Sequence, residues 1–162
     1  MTSELVCRYC EKTFRRESTL SVHMCEPKRR ARQENDPAVK LGYQTYLRFY
    51  ELTQGSAKLK TYADFATSPF YLAFVRFGRH IRNINAIAPG KFIDWIINQN
   101  KKLDQWCRDA FYEEYLLQHT RHEAVQDALT RAIETAQAWA EENNSQFNHM
   151  FRYGNTNKIC YH

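Results

Sequence analysis

The chain has 162 residues, a length that holds one domain or one domain with a small module attached. At 43% hydrophobic and 14% aromatic it has material for a real core, which argues against disorder; it has no apolar run of roughly 18 residues, which excludes a spanning helix, and MTSELVCRYC lacks the basic and apolar regions of a secretory signal. The net charge of +5 is uneven: residues 1–33 carry eight Lys/Arg against four Asp/Glu, residues 37–102 ten against three, and residues 103–162 five against nine. A surface basic over its first two-thirds points to a polyanionic partner, and the acidic last third offers a face to a protein.

The first 25 residues carry Cys7, Cys10, His23 and Cys25 at C-x2-C-x12-H-x-C spacing, with Phe14 and Leu20 between the pairs. Three thiols and an imidazole in two close pairs are the donor set of a tetrahedral Zn2+ site, and the two apolar residues are what a mini-domain needs to pack around the ion. Residues 5–25 resemble a C2H2 zinc finger, in which a short hairpin carries the cysteines and a helix carries the later ligands. The pattern departs at the fourth ligand, which the family places where Pro27 or Lys28 stands here; Cys25 substitutes, giving a C2HC variant. Two residues apart on an α-helix point to nearly opposite sides, so the helix is expected to tighten or unwind near Met24, with Pro27 favouring a stop at Glu26. In the resembling family, helix positions −1, 3 and 6 face bases; these are Arg16, Thr19 and Val22. One finger covers only about three base pairs, and single fingers also bind proteins or staple a terminus.

Five cysteines, three of them in the metal pattern, fit a reducing compartment rather than a disulfide framework, and the chain is expected to be cytoplasmic. Cys107 and Cys160 are left as buried thiols.

Lys28-Arg29-Arg30-Ala31-Arg32 follows the finger; its cations suit phosphates, and the alternative is a solvated linker. Asp36-Pro37 predicts a helix start, with Val39, Tyr43, Tyr46, Leu47 and Tyr50 at helical spacing to about Thr53 and a break at Gln54-Gly55-Ser56. A short helix is expected near Tyr62–Ala66. Ser68-Pro69 starts another, with Phe70, Ala73, Phe74, Phe77, Ile81 and Ile84 as its buried stripe. Its polar side bears Arg76, Arg79, His80 and Arg82, followed by Lys91, Lys101 and Lys102, a second candidate phosphate strip. Tyr71 and Trp95 fall at buried-face spacing and read as core before they read as stacking platforms.

Ala88-Pro89-Gly90 opens a helix with Phe92, Trp95 and Ile96 facing in. The next, from about Leu103, carries Trp106, Cys107, Ala110, Phe111, Tyr115 and Leu117. Thr120-x-x-Glu123 reads as a capping box for a helix lined by Val125, Leu129, Ile133 and Ala136, ended by Asn143-Asn144-Ser145. The aromatic stretch from Phe147 is less regular, and its apolar ending Lys158-Ile159-Cys160-Tyr161-His162 suggests that the natural chain runs further.

The fold expected is mainly α: residues 1–33 form a small ββα-type zinc finger with a basic extension, and residues 34–162 an all-α body of five or six helices. The segments LGYQTYLRFYELTQGSAKLKTY, FGRHIRNINAI and NKKLDQWCRDAFYEEYL also resemble proteins of T4-like tailed phages, which implies a viral protein at work in the bacterial cytoplasm and brings no activity with it.

Catalysis is not expected. Asp104, Asp109, Glu113 and Glu114 include a pair four apart, but no nucleophile–base pairing, phosphate-cradling glycine loop or H-E-x-x-H run accompanies them. His119 and His122, with Cys160 and His162 far downstream, read as surface or capping histidines. The function expected is binding of DNA, or of RNA, as an accessory or regulatory factor of replication or transcription. Zn2+ would fold the finger, Arg16 and Thr19 would face bases, and Lys28, Arg29, Arg30, Arg32, Arg76 and Arg79 would hold phosphates. The alternative is a protein-binding adaptor or inhibitor with a structural finger.

Overall fold

The computed structural model describes residues 5–54 and 60–154. It is mainly α with a ββα start, as its composition and periodicities predict. Strands β1 (Leu5–Val6) and β2 (Thr13–Phe14) pair antiparallel, Leu5 opposite Phe14, and form the only sheet among the described residues. Helix α1 (Glu17–Val22) completes the finger and α2 (Glu26–Arg32) carries the basic run. The helices that follow are α3 (Pro37–Gln54), α4 (Tyr62–Thr67), α5 (Tyr71–Asn83), α6 (Pro89–Asn98), α7 (Asp109–His122), α8 (Val125–Glu142) and the single turn α9 (Met150–Tyr153).

The chain divides into two compact units, one of Met1–Ala86 with Ile97–Cys107 and one of Ile87–Ile96 with Arg108–His162. In the first, α3 and α5 form the frame. Asp36 caps α3 through Oδ1, accepting from the backbone N–H of Ala38 at 2.8 Å and of Val39 at 3.1 Å. The two helices meet where each carries a glycine. A Cβ on Gly78 would lie 2.3 Å from the backbone oxygen of Ala38 and 2.7 Å from the backbone nitrogen of Gly42, and one on Gly42 would lie 2.8 Å from the oxygen of Phe74. The approach is backbone to backbone, and only glycine on both sides permits it.

Around this crossing packs an aromatic cluster. Tyr46 meets Phe74 edge-on at 5.5 Å, Phe65 meets Tyr71 at 4.8 Å, and Phe77 meets Trp106 at 5.2 Å. Trp106 is anchored by its indole N–H, which donates to the Lys101 carbonyl at 3.0 Å. Helix α4 is held by a capping box: Thr61 Oγ1 accepts from the N–H of Asp64, and the Asp64 carboxylate accepts from the N–H of Thr61.

In the second unit Phe92 packs against Tyr112 and Tyr115, with centroids at 5.2 and 5.0 Å. The Tyr115 hydroxyl donates to the Ile87 carbonyl at 3.0 Å, and the Tyr112 hydroxyl accepts the Ile87 N–H at 2.9 Å. Ala136, Trp139 and Met150 form a separate, smaller core.

Several elements differ from the periodicity reading. Phe70 is exposed because α5 begins only at Tyr71, leaving Phe70 as its N-cap. Leu103–Gln105 is a 3-10 turn, and the helix expected from there starts at Asp109, with Leu116 rather than Leu117 buried. Thr120 caps nothing. It lies inside α7 and its hydroxyl donates back to the Leu116 carbonyl, while Ala124 stands at the start of α8. Glu123, in extended geometry between the two helices, instead pairs with Arg131 of α8 and lies 3.5 Å from His119. On α8, Val125, Leu129 and Ile133 are 78%, 60% and 44% exposed, and the buried face is taken by Ala136 and Trp139. The break at Gly55-Ser56 and the ending Lys158–His162 lie outside the described residues.

Replacing Gly78 by alanine should force α3 and α5 apart. Denaturant unfolding should show a loss of about 2–3 kcal/mol, the cost of overpacking a site whose neighbours are backbone; an unchanged midpoint would mean that the crossing is not tight.

Candidate metal centre

The first pair of candidate donors, Cys7 and Cys10, sits on a tight turn between the strands. Cys7 N–H donates to the Lys12 carbonyl at 2.9 Å and the Glu11 N–H returns to the Cys7 carbonyl at 2.8 Å, with Glu11 in the left-handed region at φ 58°. This turn aims backbone N–H groups at sulfur: those of Tyr9 and Cys10 reach Cys7, and that of Lys12 reaches Cys10.

The second pair resolves the two-residue spacing of His23 and Cys25. Helix α1 stops at Val22, and His23 (φ −61°, ψ 127°) and Cys25 (φ −88°, ψ 164°) are extended. In extended chain, residues two apart share a face, so both ligands turn inward while Met24 points out, half exposed. Pro27 does not act as the stop; it lies in the first turn of α2, where its missing N–H costs nothing. The Lys28 ammonium donates to the His23 carbonyl at 2.8 Å and fastens this exit.

The four donor atoms lie within 4.8 Å of one another and could hold a metal ion. Cys7 Sγ and Cys25 Sγ are 3.9 Å apart, and Cys10 Sγ and His23 Nε2 are 3.3 Å apart. A tetrahedral ion with ligands at about 2.0–2.3 Å requires edges of roughly 3.3–3.8 Å. Phe14 lies against the His23 ring with centroids 4.7 Å apart, fixing its plane. The Tyr9 N–H draws the Cys7 thiol below its ordinary range. For Cys10 the Lys12 N–H pulls the same way, but burial and the neighbouring Cys25 and Cys7 sulfurs outweigh it, and that thiol is pushed up. A cation held by these four donors would offset the crowding of sulfurs that pushes Cys10 up.

The candidate nucleic-acid residues are placed very differently from one another. Arg16 is the N-cap of α1, and Arg16, Thr19 and Val22 are exposed along one side of that short helix, Val22 at 79%. Arg30 is drawn into the fold. Its side chain is 18% exposed, Nη1 donates to the Ala66 carbonyl at 2.9 Å, Nε donates to Glu26 at 3.0 Å, and the guanidinium lies 4.5 Å over the Tyr71 ring. The Tyr62 hydroxyl donates to the Arg30 carbonyl at 2.7 Å. Arg29 pairs with Glu26, whose carboxyl is held below its usual range first by the Arg30 hydrogen bond. Arg32 is exposed. On α5, Arg76 donates to the Asp104 carbonyl at 3.1 Å, while Arg79 and Arg82 are exposed. Lys28 to Arg32 are thus a helix tied to α4 and α5, not a linker.

Tyr71 is buried and Trp95 donates its indole N–H to Gln118, so both belong to the packing. His119 stacks on Tyr115 at 5.4 Å, His122 is exposed, and Cys160 and His162 lie outside the described residues. Cys107 is half-buried, and burial pushes its thiol up. Asp104, Asp109, Glu113 and Glu114 are all exposed. The role of Arg30 has no local signal in the sequence, because Tyr62, Ala66 and Tyr71 are more than thirty positions away.

Arg30→Ala should lower stability by about 2 kcal/mol, since hydrogen bonds to a charged, partly buried group are lost together. Chemical denaturation checks this, and an unaffected midpoint would return Arg30 to the set of free cations. Protons compete with metal at the three thiols and the imidazole, so metal affinity should fall as pH drops from 8 to 6. Calorimetric titration in buffers of different ionisation heat would count the protons released. Comparison of the chain with protein-family models, with curated proteins and with solved structures yields no match.

Proposed function

We propose that this is a Zn2+-dependent nucleic-acid-binding protein, in which the metal folds the finger and the finger presents α1 to a duplex. Three soft cysteine sulfurs and one imidazole, gathered within 4.8 Å of one another, suit Zn2+ better than hard cations, which prefer oxygen. Removal of the ion leaves a hairpin of two-residue strands and a six-residue helix with little else to hold them.

The observation that carries the nucleic-acid reading is the exposed row Arg16, Thr19 and Val22. It occupies positions −1, 3 and 6 of α1, on the side of the helix that faces solvent. Arg16 suits a guanine edge and Val22 a thymine methyl. Exposed Lys12, Arg15, Arg32, Arg79 and Arg82 provide phosphate contacts, while Arg30 serves the fold. A second reading, a protein-binding adaptor, is favoured by one specific feature: the bare apolar row Val125, Leu129 and Ile133 on α8, in a unit where residues 108–154 carry four Arg against eight Asp/Glu.

Titration with Co2+ should give one tetrahedral thiolate site per chain, displaced by Zn2+ and lost in Cys10→Ser; a metal-free chain with a folded finger would remove the basis of this reading. With five phosphate contacts, affinity for duplex DNA should fall about five-hundredfold between 50 and 200 mM salt, measured by fluorescence anisotropy. Arg16→Ala should cost about 1–3 kcal/mol and relax sequence preference at one position. Salt-insensitive binding, or none at low salt, would turn the search to a protein partner. In that case Leu129→Glu, which should leave stability unchanged at so exposed a site, becomes the diagnostic variant.

A further inference from the structure

The finger and the helices that hold it enclose a cleft of about 510 Å3, within the size range of small-ligand sites. Small side chains line its helical walls, together with larger groups at its edges. Helix α2 contributes Ala31, with Glu34 just beyond its end, and α4 contributes Ala63 and Ala66. Grooves between packed helices are ordinarily filled by large side chains; here the alanines leave a shallow apolar slot open to solvent.

Aromatic and charged groups stand at the edges of this slot. Tyr62 lines it, and because its hydroxyl is spent on the Arg30 carbonyl, the ring is what it has to offer. From the turn between the finger's cysteines come Arg8 and Tyr9. The Arg8 guanidinium lies 4.9 Å from the centre of the Tyr9 ring and donates to its hydroxyl at 3.0 Å, so the two side chains are already held together as a cation–aromatic pair. Glu34 is exposed and is the one carboxylate in the lining.

We propose that this cleft takes an unpaired nucleobase of a single-stranded segment, stacked against the Arg8–Tyr9 pair, with Glu34 accepting from an exocyclic amino group. Apolar walls suit a planar ring, aromatic and guanidinium surfaces are general platforms for base stacking, and a carboxylate selects bases that carry an amino group. Exposed Lys12, Arg15 and Arg16 belong to the same finger and draw a phosphate backbone toward it. This inference rests on the nucleic-acid reading above and specifies the form of the ligand. A single finger reads about three base pairs, and a neighbouring pocket for an unstacked base adds affinity that the finger alone lacks.

The test uses zinc-loaded full-length protein and fluorescence anisotropy with three labelled probes: a short oligodeoxycytidylate, the same strand with abasic sites, and a blunt duplex of equal length. The single strand is expected to bind about tenfold or more tighter than its abasic counterpart, the scale of one base stacked on an aromatic surface. That comparison needs no variant. Ala63→Leu and Ala31→Leu fill the slot without adding charge or an aromatic face, and they should abolish the gain while leaving duplex affinity as it was. Equal binding of intact and abasic strands overturns the proposal, as does an undiminished gain in slot-filled variants with normal zinc content and circular dichroism. Duplex binding that depends on Arg16, without any gain from an unpaired base, overturns the cleft alone. No binding to any probe at low salt overturns both readings, and an apolar peptide becomes the occupant to seek.

Discussion

The first unit depends on two helices that touch through glycine. With Gly42 and Gly78 facing each other, the α3 and α5 backbones come so close that a single methyl group would lie 2.3 Å from a carbonyl oxygen. This distance decides what surrounds it. Tyr46 and Phe74 meet edge-on beside the crossing because their helices are near enough for rings to interlock. The same α5 starts with Tyr71, whose ring faces the Arg30 guanidinium and whose neighbour across the cluster is Phe65 of α4. The helix crossing therefore reaches, through two aromatic contacts and one cation, to the helix that leaves the finger.

That connection changes the meaning of the basic run. A stretch of four cations in five residues looks like a phosphate grip when read as sequence, because charge density is all that a sequence displays. Once α2 forms, its residues face different ways. Arg30 turns inward to a carbonyl and an aromatic face, Lys28 turns back to the His23 carbonyl, Arg29 pairs with Glu26, and Arg32 remains exposed. Guanidinium suits the inward position because it donates to several acceptors in a plane and is weakly hydrated. The helix spends most of its charge within the fold, and of its four cations Arg32 alone is both exposed and outside these contacts.

The metal pattern was legible in the sequence because its physics is local. Donor type, the two-residue gap between Cys7 and Cys10, and the apolar Phe14 and Leu20 are all fixed within 25 residues, and the structure brings the four donors together. The need for an interruption between His23 and Cys25 was legible too, from helix periodicity alone; that the chain becomes extended there, with Pro27 opening a new helix, was not. The caps Asp36 and Thr61 differ in the same way. Asp36-Pro37 announces itself, whereas Thr61 forms its box with Asp64, a residue that the usual Glu/Gln pattern passes over. The cleft beside the finger and the inward turn of Arg30 depend on α4 and α5, which lie far along the chain, and no window of sequence contains them.

The acidic unit shows the opposite error. Val125, Leu129 and Ile133 have the spacing of a buried stripe, and the same stripe continues to Ala136, which is buried against Trp139 and Met150. Periodicity marks an apolar row on α8, but it carries no information on which side the rest of the chain covers. In this chain the covered side runs through half-buried Ala128, Arg131, Ala132 and Thr135 to buried Ala136 and Trp139, and leaves Val125, Leu129 and Ile133 outside it. Large aliphatic side chains exposed at helical spacing are costly in water and usually have a partner, so they are evidence about binding rather than about the fold. The charge asymmetry has the same division: basic exposed residues gather on the finger and α5, acidic ones on α7 and α8. The two proposed readings therefore assign separate tasks to separate units, nucleic-acid contact to the basic one and an apolar protein partner to the acidic one.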